Sequence, residues 1–199
     1  MKVVLFEGPD KVGKTTLLNS IVDKMAFGET EEFGQKHKPL VLGRAFGTHP
    51  LYGDEEQNKL RSFRLGLEAV SISEMLDLIS DEYVLFIDRF HLSETVYGTV
   101  FNRGYDSVQV DNIDALLENS LLVYVRPSSP VAVFNHFKDL TDRIDGLTLE
   151  EYAKSVELFD DAFGLSRIND KQKFILECDV DWKHPSECVE AAVIDYIGR

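Results

Sequence analysis

The chain has 199 residues, 44% hydrophobic and 28% charged, a composition typical of a folded protein and not of a disordered or collagen-like one. Its 21 lysines and arginines against 35 aspartates and glutamates give a net charge of −14, which disfavours broad electrostatic binding to nucleic acid or to an anionic membrane. A phosphate-bearing ligand would therefore have to be held by a few locally placed cations.

Neither the cysteines nor the N-terminal sequence indicates a secreted or membrane protein. Cys178 and Cys188 are too few for a disulfide framework or a metal quartet. The apolar start, MKVVLF, is shorter than the core of a signal peptide, and no segment reaches the roughly 20 apolar residues of a membrane span. We expect a single domain over residues 1–199, located in the cytoplasm, or in the host cytoplasm for a viral chain.

Five short apolar runs, separated by segments with helical spacing, set the order of elements. β-Branched and aromatic residues without polar alternation are typical of strands buried on both faces. Because strands alternate with helices, we predict an α/β fold: a five-stranded parallel sheet with helices on both faces. Ligands of such sheets bind beyond the carboxyl ends of the strands. The predicted strands are Val3–Phe6, Leu40–Leu42, Tyr83–Ile87, Leu121–Val125 and Phe174–Leu176.

A glycine-rich loop of the pattern G-x-x-x-x-G-K-[ST] follows the first predicted strand and precedes a helix. In this pattern backbone N–H groups surround the phosphates, and the helix adds the positive end of its dipole. Lys14 would reach the β- and γ-phosphates, and the Thr15 hydroxyl would bind Mg²⁺. The sequence therefore predicts a site for a nucleoside triphosphate with Mg²⁺. Its predicted residues are Gly8, Pro9, Asp10, Lys11, Val12, Gly13, Lys14, Thr15 and Thr16.

The third predicted strand ends in a second polar group, Asp88-Arg89-Phe90. An acid at the tip of a strand beside the phosphate loop is placed to hold Mg²⁺, directly or through water. The neighbouring Arg89 suits bidentate capture of a phosphate. The sequence lacks the base-reading motif N-K-x-D of GTPases, and a helicase or motor would be larger and less acidic. These parts favour a small-molecule kinase.

The two long motifs resemble those of thymidylate kinases, a family of P-loop kinases in the nucleoside monophosphate kinase superfamily. The resemblance spans about the first half of the chain. It implies a P-loop kinase fold with a short lid at about residues 135–146, and transfer of the γ-phosphoryl group of MgATP to a deoxynucleoside monophosphate, dTMP in the first instance. The matching segments are Phe6-Glu7-Gly8-Pro9-Asp10-(x)2-Gly13-Lys14-Thr15-Thr16, Asp88-Arg89-Phe90-(x)2-Ser93-(x)2-Val96-Tyr97 and the shorter Arg44-(x)2-Gly47-Thr48 and Arg103-Gly104.

The resemblance also implies roles for residues that bind the acceptor. Asp10 would face its sugar, and Arg44 and Arg89 would hold its 5′-phosphate. Phe63 lies near where the family stacks an aromatic on the base, although its helical spacing fits a core position equally well. The other residues implied to line the nucleoside pocket are Ser93, Tyr97 and Arg103.

One branch of the family carries a basic residue in the phosphate loop and has a lid poor in arginine. Lys11 and the cation-poor segment predicted as the lid match that branch. The resemblance therefore implies that Lys11 acts on the γ-phosphate in the transition state, beside Lys14 and Arg89 as the other catalytic residues. Lys138 and Arg143 are weaker candidates within the lid.

Two residues depart from the family's usual signature. Glu94 and Gly98 lie in the helix that is implied to face the nucleoside, so they leave the identity of the base open. Members of the family are commonly homodimers, and a homodimer is accordingly a further expectation here.

Other functions remain open at this point. A deoxynucleoside kinase would phosphorylate a neutral hydroxyl and would need Glu7 or Asp88 as a general base. That family usually shows Glu-Arg-Ser at the third strand, where this chain has Asp88-Arg89-Phe90. A relative acting on a modified base in DNA is disfavoured by the acidic charge. A nucleotide-binding regulator would bind ATP without transferring its phosphate.

Overall fold

One parallel sheet organises the protein. The computed structural model describes residues 1–27, 37–42, 55–138, 144, 146–180 and 186–198. The strands are β1 (Lys2–Glu7), β2 (Lys38–Leu42), β3 (Tyr83–Asp88), β4 (Leu121–Pro127) and β5 (Lys173–Cys178). They pair in the order β2-β3-β1-β4-β5, and every pairing is parallel.

Helices follow the strands along the chain. They are α1 (Lys14–Phe27), α2 (Glu55–Leu78), α3 (His91–Val100), α4 (Ser107–Leu116), α5 (Pro130–Phe137), α6 (Leu149–Leu165) and α7 (Ser186–Gly198). All five predicted strands lie within observed strands, so the predicted α/β fold is confirmed. Within the described residues, no helix is long and apolar enough to cross a membrane.

Alternate residues of the central strand β1 feed apolar clusters on opposite faces of the sheet, as the two-residue period of a strand requires. Val4 and Phe6 pack with residues of α1 and α7. Val3 and Leu5 pack with residues of α2 and α4. Since both faces of β1 are covered, its side chains from Val3 to Glu7 are buried, and its carboxyl end lies with those of the other parallel strands at one edge of the sheet.

A third apolar cluster joins α3, α5 and α6 beyond that edge. Helix α6 begins at a capping box, in which the Thr148 hydroxyl accepts from the Glu151 N–H and the Glu151 carboxylate accepts from the Thr148 N–H. Its buried face carries Tyr152 and Phe159, and Phe159 stacks on Tyr124 of β4. This packing brings the second half of the chain against the loop that follows β1.

Gly8 permits a close approach between that loop and strand β4. Its φ is +137°, a conformation that L side chains rarely adopt, and an added Cβ would lie 2.2 Å from the carbonyl oxygen of Val125. We expect Gly8→Ala to lower the free energy of unfolding by about 3 kcal/mol or more, because backbone strain and overlap act together. Urea unfolding followed by circular dichroism measures the change.

Gly164→Ala is the matched control for that substitution. Gly164 lies in α6, and nothing approaches within 4 Å of the position its Cβ would take. Alanine there is expected to leave stability unchanged or raise it by up to about 1 kcal/mol, since alanine is the better helix former. Similar losses at the two glycines would show that the approach to Val125 does not constrain Gly8.

Candidate functional site

The loops after β1 and β3 meet at the carboxyl edge of the sheet. The two strands pair with Phe6 opposite Asp88, and the N–H of Arg89 donates to the carbonyl oxygen of Phe6 across 2.9 Å. The two motifs, about 80 residues apart in sequence, are therefore adjacent in space. This is the arrangement that strand order predicts for a shared site.

The glycine-rich loop folds around the side chain of Lys14. Lys11 and Gly13 adopt left-handed backbone conformations, with φ of 62° and 80°. Lys14 is the first residue of α1, is only 3% exposed, and donates from Nζ to the carbonyl oxygen of Pro9. Val12 is buried in the core and anchors the loop, whereas Lys11 is exposed. The loop thus holds one cation inside and presents another outward.

Burial dominates the electrostatics of Lys14. It lowers the pKa of the ammonium group to about 7, and repulsion from Arg89 acts in the same direction. Asp10 and Asp88 raise the pKa without restoring it. An ammonium group desolvated in this way gains from any anion brought against it, as a phosphate in the loop would be.

Thr15 and Asp88 form the pair predicted to hold Mg²⁺. The Thr15 hydroxyl donates to Oδ2 of Asp88 across 2.5 Å. The other carboxylate oxygen, Oδ1, is buried and has no hydrogen-bond partner among the described residues. A hydroxyl beside an unsatisfied carboxylate oxygen fits the oxygen ligands that Mg²⁺ prefers, and the residues present are compatible with that ion.

Arg89, Asp10 and Tyr97 form a buried triangle beside the loop. Nη2 of Arg89 donates to Oδ1 of Asp10, Nη1 donates to the Tyr97 hydroxyl at 3.1 Å, and that hydroxyl donates to Oδ2 of Asp10 at 2.9 Å. Burial acts to lower the pKa of Arg89, but Tyr97 and Asp10 raise it above its usual value. The guanidinium is therefore a permanent, fixed positive charge, on a residue whose φ of 68° places it in the left-handed region.

Glu7 ties the start of α3 to β1. Its Oε1 accepts from the Phe90 N–H at 2.8 Å, and its Oε2 accepts from the Ser93 hydroxyl at 2.5 Å. Ser93, implied to line the nucleoside pocket, is fully buried in this contact. Both oxygens of the Glu7 carboxylate are thus engaged by the backbone and side chain of the next motif.

Arg103 turns back onto α3. Its two terminal nitrogens donate to the two carboxylate oxygens of Glu94 at 2.6 and 2.9 Å, and both side chains are less than a tenth exposed. Gly98 allows this turn, because an added Cβ would lie 2.9 Å from the carbonyl oxygen of Gly104. Of the two departures from the family signature, Gly98 therefore has a structural reason, and Glu94 forms a buried ion pair with Arg103.

The remaining predicted residues lie apart from the triangle or outside the described residues. Phe63 is 62% exposed and borders a groove between α2 and α4 with Ile113 and Leu116. Its stacking on a base stays a prediction. Lys138 follows the end of α5. Arg44, Arg143 and much of the predicted lid (139–143 and 145) lie outside the described residues.

Two contacts of the site were missed by the sequence analysis. The Tyr152 hydroxyl donates to the carbonyl oxygen of Asp10 at 2.9 Å, which fastens α6 to the phosphate loop. His91, at the start of α3, is fully buried with Nε2 at 2.9 Å from Oδ1 of Asp114. No local pattern in the sequence distinguishes a core tyrosine on a helix from one, such as Tyr152, whose hydroxyl reaches a loop.

Comparison with known proteins agrees with this fold. No model of a protein family and no curated protein matches the sequence. Among solved structures, the YorR protein of Bacillus subtilis, in complex with phosphorylated GDP, is similar with a TM-score of 0.62 and 16% identity, covering 99% of this chain and 96% of that one. Thymidylate kinase from Ehrlichia chaffeensis is similar with a TM-score of 0.59 and 15% identity, covering 98% of this chain and 97% of that one. Thymidylate kinase from Candida albicans is similar with a TM-score of 0.54 and 15% identity, covering 99% of this chain and 91% of that one.

These likenesses, over nearly the whole chain, define the class of fold. The protein has the fold of P-loop nucleotide kinases. The resemblance to thymidylate kinases, first drawn from two motifs, is confirmed at the level of the fold.

Proposed function

We propose that the protein is a nucleotide kinase that transfers the γ-phosphoryl group of MgATP to the 5′-phosphate of a deoxynucleoside monophosphate, with dTMP as the acceptor that the resemblance implies. One observation carries the proposal. A buried arginine, Arg89, is fixed by the phosphate loop's own Asp10 and lies near enough to Lys14 to lower its pKa. Two neighbouring cations suit two phosphate groups, one from each substrate.

The acceptor in this reaction is already ionised, so no general base is needed. The protein's residues supply position, charge neutralisation and exclusion of water. Lys14 and the N–H groups of the loop would hold the donor's phosphates, and Arg89 would hold the acceptor's. When bound at Thr15 and Asp88, Mg²⁺ would neutralise charge on the donor's phosphates.

The hydrogen bonds of Glu7 are evidence against the alternative function, a deoxynucleoside kinase. A deoxynucleoside kinase needs a carboxylate that is free to take a proton from a hydroxyl. Glu7 instead accepts from the Phe90 N–H and the Ser93 hydroxyl, and Oδ2 of Asp88 accepts from Thr15. Both oxygens of Glu7 are thus engaged, and the remaining unpartnered oxygen, Oδ1 of Asp88, is the one that would face Mg²⁺, an arrangement that suits a phosphate acceptor better than a hydroxyl.

Lys11 is the proposed transition-state cation. We expect Lys11→Ala to lower kcat by about 10²- to 10³-fold, as loss of one charge-stabilising donor does in other enzymes. The Kd for ATP should change by less than about threefold, because Lys14 and the loop backbone remain. Steady-state ADP release and nucleotide titration measure the two quantities.

Lys11→Arg is the control for charge at that position. It keeps a cation on the same left-handed residue and should retain more of the activity than alanine does. A large loss of ATP affinity with kcat preserved would make Lys11 a binding residue instead.

A coupled ADP-release assay tests the proposal. MgATP is offered with each deoxynucleoside monophosphate and, in parallel, with each nucleoside. Turnover with a monophosphate and none with nucleosides supports the proposal. Activity on nucleosides alone would indicate a deoxynucleoside kinase, and ATP binding without any turnover would indicate a regulator.

We extend the proposal to a cytoplasmic homodimer, whose oligomeric state sedimentation would measure. Its partners would be nucleotides and not nucleic acid, because a net charge of −14 disfavours binding to a polyanion.

A further inference from the structure

Helix α6 holds the peptide group that joins Asp10 to Lys11 in the phosphate loop. The Tyr152 hydroxyl donates to the carbonyl oxygen of Asp10 at 2.9 Å. A peptide group is planar and trans, so a carbonyl oxygen fixed on one side also fixes the direction of the N–H on the other. The Tyr152 bond therefore sets the orientation of the backbone at Lys11, the proposed transition-state cation.

The backbone at Lys11 needs such support. Its φ of 62° lies in the left-handed region, which costs conformational energy in a residue that is not glycine. A conformation of this kind persists only where the surrounding contacts determine it. Val12, buried in the core, fixes the chain after Lys11, and Asp10 fixes the chain before it. The Lys11 side chain is exposed, so its direction depends on how firmly these two neighbours hold the backbone.

Asp10 is held through its side chain and through its backbone. Its carboxylate accepts from Arg89 and from the Tyr97 hydroxyl, and its carbonyl oxygen accepts from Tyr152. The side-chain bonds belong to the cluster proposed to bind the acceptor's phosphate, whereas the Tyr152 bond acts on the peptide group that leads into Lys11. One residue thus connects the acceptor cluster to the cation of the loop.

The Tyr152 hydroxyl is a rigid donor. The Tyr152 ring is fully buried and packs against Phe134 of α5, with ring centroids 6.0 Å apart. The capping box of Thr148 and Glu151 fixes the start of α6 one turn before it. Burial raises the pKa of the hydroxyl above its usual value, so it keeps its proton throughout the neutral range and remains a donor.

We propose that Tyr152 is a positioning residue for phosphoryl transfer, whose hydroxyl orients the Asp10–Lys11 peptide group and so directs Lys11 to the γ-phosphate. The inference rests on the proposed nucleotide kinase function and on the role given to Lys11 there. A phenylalanine would fill the same space in the core, so packing alone does not account for the hydroxyl. Because Tyr152 has no exposed surface, it touches neither substrate and acts on the rate through Lys11.

The first test removes the hydroxyl and keeps the ring. Tyr152→Phe is expected to lower kcat with MgATP and a monophosphate acceptor by about tenfold, as loss of one neutral hydrogen bond does. The KM for the acceptor and the Kd for ATP should each change by less than about twofold, because Arg89 and Lys14 are untouched. Steady-state and single-turnover ADP release, with separate nucleotide titrations, give these quantities.

Tyr196→Phe is the matched control. The Tyr196 hydroxyl also donates to a backbone carbonyl oxygen at 2.9 Å, that of Asn119, which lies just before β4 at the opposite edge of the sheet. We expect kcat of this variant to stay within about twofold of the unmodified chain. Since each variant loses a bond of the same kind, thermal unfolding should show similar small decreases in Tm for both.

The second test asks whether Tyr152 acts through Lys11. In a double-mutant cycle, Tyr152→Phe is introduced into the Lys11→Ala variant, which lacks the cation to be directed. Removal of the hydroxyl there should lower kcat by less than about twofold further, against about tenfold in the unmodified chain. A structural role independent of Lys11 would produce the same loss in both backgrounds.

The outcomes separate the two proposals. A loss in kcat that disappears in the Lys11→Ala background supports the inference. Unchanged kcat in Tyr152→Phe, a loss mainly in KM or Kd, or an equal loss in both backgrounds overturns it and leaves the kinase proposal standing. Unfolding of Tyr152→Phe while Tyr196→Phe stays folded would make the hydroxyl structural and likewise overturn it. No turnover of any monophosphate by the unmodified chain overturns the kinase proposal and this inference together.

Discussion

Replacing Lys14 by alanine is expected to lower kcat for phosphoryl transfer by about 10³-fold or more, the largest effect of any single substitution here. Lys14 is buried, with 3% exposure, and its Nζ donates to the carbonyl oxygen of Pro9 inside the loop. Because it is buried, water does not screen its charge from a bound phosphate. ADP release under single-turnover and steady-state conditions measures the loss.

Lys154→Ala is the matched control for Lys14. Lys154 is 56% exposed on α6 and pairs with Glu157, so its loss should leave kcat unchanged within about twofold. Circular dichroism checks that Lys14→Ala still folds, which is expected because the substitution removes a desolvated charge. Full activity in Lys14→Ala would place the triphosphate site elsewhere on the protein.

Arg89→Ala is expected to reduce kcat/KM for the monophosphate by about 10²- to 10³-fold and the affinity for ATP by less than about threefold. The difference is expected because Arg89 is held by Asp10 and Tyr97, whereas Lys14 lies inside the loop that would bind the phosphates of ATP. Initial rates with the acceptor varied, and separate ATP titrations, give the two numbers. Equal losses for both substrates would contradict a role specific to the acceptor.

Tyr97→Phe is a milder companion to Arg89→Ala. It removes the hydroxyl that joins Arg89 to Asp10 but keeps the charge and the packing of the ring against Phe159. We expect a loss of about tenfold in acceptor kcat/KM, in line with one hydrogen bond to a charged group. A loss as large as that of Arg89→Ala would mean that the hydroxyl, and not the charge, determines binding.

The fold could be predicted from the sequence because its three inner strands, β1, β3 and β4, are buried on both faces, although the edge strands β2 and β5 are partly exposed. Such strands appear as continuous apolar runs, as in Tyr83–Ile87, and the polar residues that follow them are conspicuous. The phosphate loop could be predicted for a related reason, because its local backbone geometry requires glycines and a lysine at fixed positions. Left-handed φ at Gly13 and the 2.2 Å approach at Gly8 are the constraints that this pattern records.

Contacts between residues far apart in the sequence could not be predicted, because no local sequence pattern marks them. Tyr152 reaches Asp10 across 142 positions, and its place in the apolar stripe of α6 is that of any core aromatic. His91 likewise follows no sequence pattern that marks it as buried, although it is fully buried against Asp114. Residue periodicity reports which face of an element is buried but not which partner lies there. The partners depend on how elements pack, and only the structure supplies that.

The fixed geometry of Arg89 has a consequence for how the energy of acceptor binding is divided. A free arginine side chain has about 2 kcal/mol of rotamer entropy to lose when it is ordered. Here Asp10 and Tyr97 already order it in the folded protein, on a left-handed backbone that is itself strained. Folding, and not association with the acceptor, therefore bears the entropic cost. Tighter capture of a phosphate is thus obtained at the expense of conformational stability.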